Sequence, residues 1–327
     1  MKAILITNKN NLEYLTGKNY SNMFSIIINE KKHLFTDPRY KIAIKECKNF
    51  KVWIYSDIKE TIQEFLKENP IEELMFEPSD LTISKHKFFK KIFKGVKLKA
   101  LKENPIFTKR KIKTQEEIDN IKKSQKLNEK IYSHTIKKIK EGVSEKQIAS
   151  FIKIQALNEN SEISFEPIVG FAENSANIHH KPSDKKYKNG DCVLIDMGVK
   201  YKNYCSDMTR VIPSKNKNYQ KHYNFLKKLI KKIEENFNKF KTLEDIDKFA
   251  RKEYEKLDNI SLPHSLGHGI GIQVHEKPFF GEKTPIQDGL VFTIEPGIYI
   301  EEKYGIRLEN IYYIQNKKLI NCNTLDF

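Results

Sequence analysis

The first hundred residues alternate short apolar runs with stretches of helical spacing. Runs rich in β-branched and aromatic residues predict three strands, at residues 3–7, 24–28 and 52–55. Apolar residues that recur with a helical period predict three helices, at residues 39–47, 58–67 and 81–93. Ser79 or Asp80 is a candidate N-cap for the last of these helices. The break at Glu103-Asn104-Pro105 then suits the end of a small α/β domain over residues 1–107.

A different pattern follows this break, because long helical stretches now precede groups of strands. The segment from Thr114 to Glu117 resembles a capping box and predicts a helix to about residue 140, and Ser144 caps a second helix to about residue 158. The remaining elements are predicted in this order: strands 163–169, 193–199 and 205–212, helices 219–241 and 243–257, and strands 290–294, 299–300 and 306–314. We therefore predict a second domain over residues 108–327, built from two α–β–β halves that share no residue-level repeat.

Composition narrows the class of protein. The net charge is +16, but lysine is spread over the whole length and neither a zinc-finger spacing nor an aromatic RNA-binding motif is present. We therefore expect a solvated, lysine-rich surface and no nucleic-acid partner. No apolar run approaches the roughly 20 residues that span a bilayer, so no membrane partner is expected. The apolar run at residues 3–6 is too short for a signal peptide, and the four cysteines lack a C-x-x-C spacing, which predicts a reduced, cytoplasmic protein.

Two aspartates occupy apolar strand-like runs in the first half of the second domain. The sequence VLIDMGVKYKNYCSDMTRVI carries Asp196 and Asp207 on either side of a turn-like stretch at residues 200–203. A hairpin centred between Tyr201 and Lys202 would set the two carboxylates directly opposite each other, with Cβ atoms about 4.5–5.5 Å apart. Like charges this close destabilise a sheet, so the arrangement indicates a cation between them.

Two glutamates repeat this arrangement in the second half. Glu295 follows the strand predicted at residues 290–294, and Glu309 lies within the run 306–314, so a symmetric hairpin would again set the carboxylates opposite each other. Arg307 precedes Glu309 by two residues and therefore projects from the same strand face. It is placed to hydrogen-bond a carboxylate of the cluster.

Histidines are concentrated in two further segments. HSLGHGIGIQVHE contains His264, His268 and His275, and its glycines exclude a helical zinc motif and allow close backbone approach. The pair His179-His180 lies upstream. Four carboxylates and one imidazole form an oxygen-rich set that suits Mn²⁺, with Co²⁺, Fe²⁺ or Zn²⁺ as competitors. Two such cations about 3.5–4 Å apart could share the carboxylates.

At these residues the chain resembles the pita-bread metallopeptidases, in particular their proline peptidase branch, the Xaa-Pro aminopeptidases and the Xaa-Pro dipeptidases (prolidases). The segments that carry the resemblance follow in family order: LIDMG, SDMTR, HSLGHGIG, TIEPGIY and GIRLEN. NLEYLTGKNYSN and LFTDPRY are similar to the N-terminal domain of the family. The resemblance implies a small creatinase-like α/β domain followed by a pita-bread domain with two pseudo-symmetric α–β–β halves.

The resemblance also implies a role for each acidic residue and for one histidine. Asp196 would bind one metal, Asp207 and Glu309 would bridge two metals, and His268 and Glu295 would complete the ligand sets. A hydroxide between the metals would attack the carbonyl before proline, and Glu295 would assist its deprotonation. The implied substrates are therefore proline-containing peptides.

The other matched residues would contact the substrate or support a ligand. His179 and His275 would stabilise the tetrahedral state and help proton transfer, since neutral imidazoles exchange protons near pH 7. His264 would face the substrate, and Arg307 would hold a metal ligand. Of the pair upstream, His179 matches the family histidine better than His180.

Departures from the family pattern bear on the substrate. Prolidases often carry an arginine after H-E-x-P that holds the carboxylate of a dipeptide, and Phe279 stands at this position. This favours a Xaa-Pro aminopeptidase over a prolidase, with Lys277 or the first domain as another source of charge. Asn177-Ile178 replaces a common Leu-Pro, and Gln273 stands where an acidic residue is frequent.

Three alternatives stay open beside the aminopeptidase. They are a prolidase, a non-catalytic pita-bread module that binds peptides or proteins, and a creatinase-like hydrolase that works without metal. Because all five ligand positions carry the residue types of the family, the last two are disfavoured. A methionine aminopeptidase fits the first domain and the GIRLEN segment less well. A homodimer is expected, since homodimers are common among relatives.

Overall fold

The computed structural model describes residues 1–18 and 20–327, and the chain divides into two compact units, Met1–Arg110 and Lys111–Phe327. The first unit consists of these elements: β1 (Lys2–Ile6), α1 (Lys9–Thr16), β2 (Phe24–Ile28), β3 (Lys31–Thr36), β4 (Lys51–Ile54), α2 (Ile58–Glu68), β5 (Glu73–Phe76), α3 (Ile83–Ile92) and β6 (Lys97–Ala100). Helix α4 (Pro105–Lys111) follows at the division between the units. The six strands form one mixed sheet in the order β4-β3-β2-β1-β5-β6.

Two local predictions for the first unit were wrong. Residues 39–47 do not form one helix but two short 3₁₀ helices, Pro38–Tyr40 and Ala43–Glu46, the first of which is capped by the side chain of Asp37. Thr82, rather than Ser79 or Asp80, caps α3. The Asp80 carboxylate is engaged elsewhere, since it accepts hydrogen bonds from the side chains of two residues near β1.

The second unit contains the remaining helices and strands. They are α5 (Gln115–Thr135), α6 (Glu145–Asn158), β7 (Ile168–Phe171), β8 (Val193–Met197), β9 (Lys200–Tyr201), β10 (Tyr204–Cys205), β11 (Met208–Ile212), α7 (Lys217–Glu235), α8 (Leu243–Tyr254), β12 (His268–Gly269), β13 (Glu276–Phe279), β14 (Val291–Ile294), β15 (Gly297–Ile300), β16 (Tyr304–Arg307), β17 (Asn310–Gln315) and β18 (Lys318–Asn321). The capping box predicted at Thr114 and the N-cap predicted at Ser144 are both confirmed, and Ser144 also forms a capping box with Gln147. No helix in the described part of the chain is long and apolar enough to cross a membrane.

Each half of the second unit packs a pair of helices on a sheet. In the first half, Ile131 of α5 and Ile152 of α6 share one apolar cluster with Ile195 of the sheet β11-β8-β7. In the second half, residues of α7 and α8 such as Leu226 pack with Phe292 of the sheet β13-β12-β14-β17-β18. Two small hairpins, β9-β10 and β15-β16, complete the unit. This is the repeated α–β–β order that the sequence predicted.

The first carboxylate hairpin has a different register from the one predicted. Because Tyr201 pairs with Tyr204, the turn is centred between Lys202 and Asn203. Both of these turn residues have positive φ. The same register continues into β8 and β11, so Asp196 faces Thr209 and not Asp207. Asp207 is therefore displaced by two positions along the strand, a shift that keeps it on the same face of the hairpin.

The second carboxylate hairpin has the predicted register. β14 pairs with β17 and β15 pairs with β16 in one continuous register, which sets Glu295 and Glu309 opposite each other at the junctions between these strands. Glu309 lies just before β17 rather than inside a continuous strand over residues 306–314.

Candidate metal centre

The structure brings the four acidic residues and one histidine of the sequence prediction to one place. Their ligand atoms form overlapping groups in which all atoms lie within 4.8 Å of one another. The groups are Asp196, Asp207 and Glu309; His268, Glu295 and Glu309; and Asp207, His268 and His275. Three residues, Asp207, Glu309 and His268, belong to two groups each. The acids thus converge instead of pointing to separate surfaces.

Glycines allow His268 to reach this cluster from a short strand. A Cβ atom at Gly267 would lie 2.0 Å from the carbonyl oxygen of Thr293, and one at Gly269 would lie 2.5 Å from backbone atoms of β13. The backbone N–H of His268 donates to Thr293 Oγ1 at 3.1 Å. This bond fixes the backbone from which the imidazole reaches Glu295. His268 Nε2 lies 3.3 Å from Glu295 Oε1 and 3.6 Å from Asp207 Oδ2.

Hydrogen bonds between the two hairpins orient the carboxylates. Arg307 Nη2 donates to Asp196 Oδ2 at 2.6 Å, and Arg307 Nε donates to Thr209 Oγ1 at 3.0 Å. Thr209 Oγ1 in turn donates to Glu309 Oε2 at 2.7 Å. The predicted contact between Arg307 and a carboxylate of the cluster is therefore confirmed. Sequence reasoning missed Thr209, although it follows Asp207 by two residues and so shares its strand face.

Burial and the repulsion between neighbouring carboxylates raise the pKa values of three of the acids. Burial, followed by the charges of neighbouring carboxylates, raises the pKa of Asp207 and that of Glu295 well above their usual values. The same two causes raise the pKa of Glu309 to about 8. Burial and the neighbouring His275 lower the pKa of His268 to about 3, so this imidazole is neutral near pH 7, the form that binds a metal.

A divalent cation fits the charge and the donor atoms of this cluster. Asp196 Oδ1 and Asp207 Oδ1 are buried without a hydrogen-bond partner among the described protein groups. Arg307 is the only permanently charged cation among the described residues that line the cleft around the cluster. Burying unpaired carboxylates is costly, and carboxylate oxygen with imidazole nitrogen is a set that Mn²⁺, Co²⁺, Fe²⁺ and Zn²⁺ accept.

The cluster lines a cleft of about 590 Å³. His179, His264 and His275, which the family resemblance assigned to substrate contact, line this cleft. Its apolar wall consists of Phe165, Ile168, Ile178, Val274 and Phe279. His180 is bonded instead to a buried carboxylate, Glu145, through its Nε2 atom at 2.8 Å. A cleft that combines an acidic cluster with apolar side chains can hold a peptide against a metal.

Tyr299 links His264, which lines the cleft, to the acidic cluster through Arg307. Arg307 Nη1 donates to Tyr299 Oη at 2.9 Å, and Tyr299 Oη lies 3.0 Å from His264 Nε2. His264 Nδ1 lies 2.7 Å from the carbonyl oxygen of Ser265, which can only accept, so Nδ1 carries the proton and Nε2 accepts from Tyr299. Burial lowers the pKa of His264 to about 4, consistent with this neutral tautomer. The sequence prediction did not assign Tyr299 a role, although it lies in the TIEPGIY segment.

Comparison with known proteins gives a family for each part of the chain. Residues 119–316 match metallopeptidase family M24, and residues 1–109 match the creatinase/prolidase N-terminal domain. An uncharacterised peptidase of Staphylococcus epidermidis is 32% identical over 94% of this chain and 90% of its own length. Another from Staphylococcus aureus is 30% identical over 96% of this chain and 92% of its own length.

Solved structures of similar fold include both kinds of proline peptidase. The X-Pro aminopeptidase from Thermotoga maritima has a TM-score of 0.89 at 28% identity, with 100% of this chain and 96% of the other covered. The Xaa-Pro dipeptidase from Bacillus anthracis has a TM-score of 0.91 at 27% identity, with 99% and 93% covered. These likenesses confirm the predicted class, a creatinase-like α/β domain followed by a pita-bread domain of the proline peptidase branch.

The chain belongs to metallopeptidase family M24. It is a metallopeptidase of the Xaa-Pro aminopeptidase and prolidase type, and members of this family use divalent metals. Among the described residues, the convergent acids together with His268 and His275 could hold such ions.

Proposed function

We propose that this protein is a Xaa-Pro aminopeptidase that removes the residue before proline with the help of two divalent cations. The observation that carries the proposal is the overlap of the ligand groups at Glu309, which joins Asp196 and Asp207 on one side to His268 and Glu295 on the other. One carboxylate that belongs to two such groups is what a pair of metals about 3.5–4 Å apart requires.

In this proposal each ligand has a distinct position. Asp196 would hold one cation, Asp207 and Glu309 would be shared between the two ligand sets, and His268 and Glu295 would complete those sets. The role proposed for Asp207 is supported by its membership of two ligand groups, one with Asp196 and one with His268. When bound, the two cations supply a water of lowered pKa and polarise the carbonyl that precedes proline. We propose Mn²⁺ as the cation, with Co²⁺, Fe²⁺ and Zn²⁺ as the ions to compare in activity measurements.

The chain's own residues then orient the peptide and move its protons. Glu295, which shares a ligand group with His268 and Glu309, would accept a proton from the attacking water. His179 and His275 line the same cleft as the acids, and in this proposal they donate hydrogen bonds to the oxygen that develops negative charge. Burial lowers the pKa of His275, so it is neutral near pH 7 and able to exchange a proton. His264 is held in one tautomer by the Ser265 carbonyl oxygen and Tyr299 Oη, and in this proposal it presents a fixed surface to the substrate.

The preference for substrates longer than a dipeptide rests on the charges in the cleft. Phe279, which is 39% exposed, forms part of the wall where prolidases often carry a carboxylate-binding arginine. Arg307 is already engaged by Asp196, Thr209 and Tyr299. Lys277 Nζ lies 3.7 Å from Glu282. No free cation among the described residues of the cleft is therefore available for the C-terminal carboxylate of a dipeptide, whose burial unpaired would be costly.

A comparison of a Xaa-Pro dipeptide with a Xaa-Pro-Yaa tripeptide tests this proposal. With Mn²⁺ present, we expect kcat/KM for the tripeptide to exceed that for the dipeptide by about tenfold or more, since an unpaired buried charge costs at least about 1.4 kcal/mol. Phe279→Arg should reverse the preference by supplying a cation, and Phe279→Leu is the matched control that keeps the wall apolar. A dipeptide preference in the wild type would assign a prolidase instead. Absence of turnover of either peptide at saturating metal would favour the non-catalytic binding module.

Two other expectations remain predictions. The homodimer is tested by sedimentation velocity, and the cytoplasmic location is tested by fractionation of cells that express the protein at its natural level. Neither affects the residues that carry the proposed reaction.

A further inference from the structure

The buried carboxylate of Glu145 gathers five hydrogen bonds from one segment of the chain. Glu145 is the first residue of α6 and is 0% exposed. Its Oε1 atom accepts from the Phe171 N–H at 2.8 Å and from Asn174 Nδ2 at 3.0 Å. Its Oε2 atom accepts from the Ser183 N–H at 2.9 Å, from Ser183 Oγ at 2.6 Å and from His180 Nε2 at 2.8 Å. All five donors lie between residues 171 and 183, the segment that carries His179.

The two adjacent histidines of this segment face different surroundings. The ring of His180 is mostly buried and ends on Glu145, whereas His179 is exposed and lines the cleft. The chain is locally constrained as well, because Asn177 Oδ1 accepts from the His179 N–H at 3.2 Å. Sequence reasoning assigned no role to His180. In the structure His180 anchors the segment to Glu145, and His179 faces the cleft.

A second attachment holds the same segment from the side of the metal centre. The Gly305 N–H donates to Ser175 Oγ at 2.7 Å, and a Cβ atom at Gly305 would lie 1.9 Å from the carbonyl oxygen of Ser175. β16, which carries Gly305, also carries Arg307 at its end. The segment is thus fixed between α6 and the strand that supplies a hydrogen bond to Asp196.

We propose that Glu145 is a positioning residue for His179, because its carboxylate holds residues 171–183 in the one arrangement that presents the His179 imidazole to the metal cluster. This inference rests on the proposed function, since His179 can act only if the cleft is the peptidase site. Because a buried carboxylate without partners is costly, the hydrogen bonds between Glu145 and its five donors depend on one another.

Glu145→Gln is the variant that tests this inference, and Glu129→Gln is its matched control. Glutamine keeps the size of the side chain but replaces one acceptor oxygen by an amide that cannot accept from the present donors. Glu129 is likewise buried and accepts from the Thr324 N–H, Thr324 Oγ1 and the Leu325 N–H, yet those residues do not line the cleft. Both variants remove a charged acceptor from a buried cluster, but only one of them frees the His179 segment.

In the Mn²⁺-loaded enzyme, we expect Glu145→Gln to lower kcat for a Xaa-Pro-Yaa peptide by about 10–100-fold, with bound metal and KM changed less than about threefold. We also expect faster amide hydrogen exchange over residues 171–183. Glu129→Gln should lower thermal stability to a similar extent but leave kcat within about threefold and the exchange of this segment unchanged. Equal effects of the two variants on kcat, or unchanged exchange of residues 171–183 in Glu145→Gln, would overturn the inference.

Variants of two donors keep the test decisive if Glu145→Gln does not fold. His180→Ala removes one donor and should lower kcat by about 3–10-fold, whereas His180→Gln retains an N–H group and should recover most of that loss. Equal losses in both would contradict the role of His180. Ser183→Ala should resemble His180→Ala, and full activity in both alanine variants would contradict the role of Glu145. If the wild type hydrolyses no proline peptide, the proposed function fails, and the exchange measurement still decides whether Glu145 holds the segment.

Discussion

The two carboxylate hairpins of the second unit reach one site by different local geometries. In the first, Asp196 lies within β8 opposite Thr209, and Asp207 precedes β11 by one residue. In the second, Glu295 and Glu309 both lie between strands and face each other across the hairpin. The shorter aspartate side chains thus come from or beside regular strands, and the longer glutamate side chains come from the breaks between strands.

Each hairpin also supplies the group that orients an acid of the other. Thr209 of the first hairpin donates to Glu309 of the second, and Arg307 of the second donates to Asp196 of the first. The two halves are therefore joined through the candidate metal ligands themselves. Neither hairpin alone presents an ordered ligand set, which explains why the acids can be predicted pairwise but their arrangement cannot.

The largest effect is expected from removing one of the acids shared between groups. Asp207→Asn keeps the size of the side chain but loses the charge that two cations would share, so kcat/KM should fall by about 1,000-fold or more. Peptidase assays at saturating Mn²⁺ give this number, and far-UV circular dichroism should be unchanged. Because burial and the neighbouring carboxylates raise the pKa of Asp207, this acid destabilises the metal-free native state above the pKa that it has in the unfolded chain. The metal-free variant should therefore also unfold at a higher temperature than the metal-free wild type at neutral pH. Activity within about tenfold of the wild type would contradict the bridging role.

Removal of metal tests whether the two hairpins repel each other without a cation. Chelation should abolish activity and lower Tm, and added Mn²⁺ or Co²⁺ should restore both. A cation at a hundred times its Kd stabilises the native state by about 2.7 kcal/mol, which differential scanning calorimetry resolves. The control is Asp207→Asn, whose Tm should respond less to metal. A Tm that is indifferent to chelator and metal alike would show that the acids are accommodated in another way.

A pair of threonine variants compares the orienting groups of the two hairpins. Thr209→Val removes the 2.7 Å hydrogen bond to Glu309 and leaves Arg307 Nε without its acceptor, so metal affinity should fall by about 10–100-fold. Thr293 Oγ1 donates to Glu295 over a longer distance of 3.4 Å and also accepts from the backbone N–H of His268 at 3.1 Å. Because the first bond is long and the second does not involve the imidazole itself, the loss in Thr293→Val should be smaller. Calorimetric titration of both metal-free variants with Mn²⁺ measures the difference. A larger loss for Thr293→Val would reverse the ranking of the two hairpins.

The smallest effect concerns the turn that sets the register of the first hairpin. Lys202 has a φ of 47°, a left-handed conformation that asparagine adopts more readily than lysine. Lys202→Asn should therefore stabilise the protein by about 0.5 kcal/mol and raise Tm by about 1–2 °C without a change in activity. Asn203→Ala, at a φ of 69°, is the control and should lower Tm. A lower Tm for Lys202→Asn would contradict this view of the turn.

Long amphipathic elements were predictable because their signals are local. The helices α5 and α6 begin at capping boxes written in the sequence, and both were found with their predicted caps. The strand β6 was missed because its residues KLKA are mostly exposed and its pairing with β5 is a tertiary contact. The helix predicted at residues 39–47 was wrong because Asp37 and Pro38 begin a short 3₁₀ turn there.

The sequence by itself determined which chemical groups the site contains. Strand periodicity and the glycine-rich segment indicated a site of acids and histidine, because alternation along a strand and close backbone approach are local properties. The resemblance to the family then singled out His268 among the three histidines of that segment. The tertiary structure alone decided the register that sets Asp196 opposite Thr209 and the hydrogen bonds of Thr209 and Arg307 across the hairpins. It also decided that His180 binds Glu145 while His179 faces the cleft. These features join residues far apart in the chain, and their energies depend on burial and distance, which no local pattern encodes.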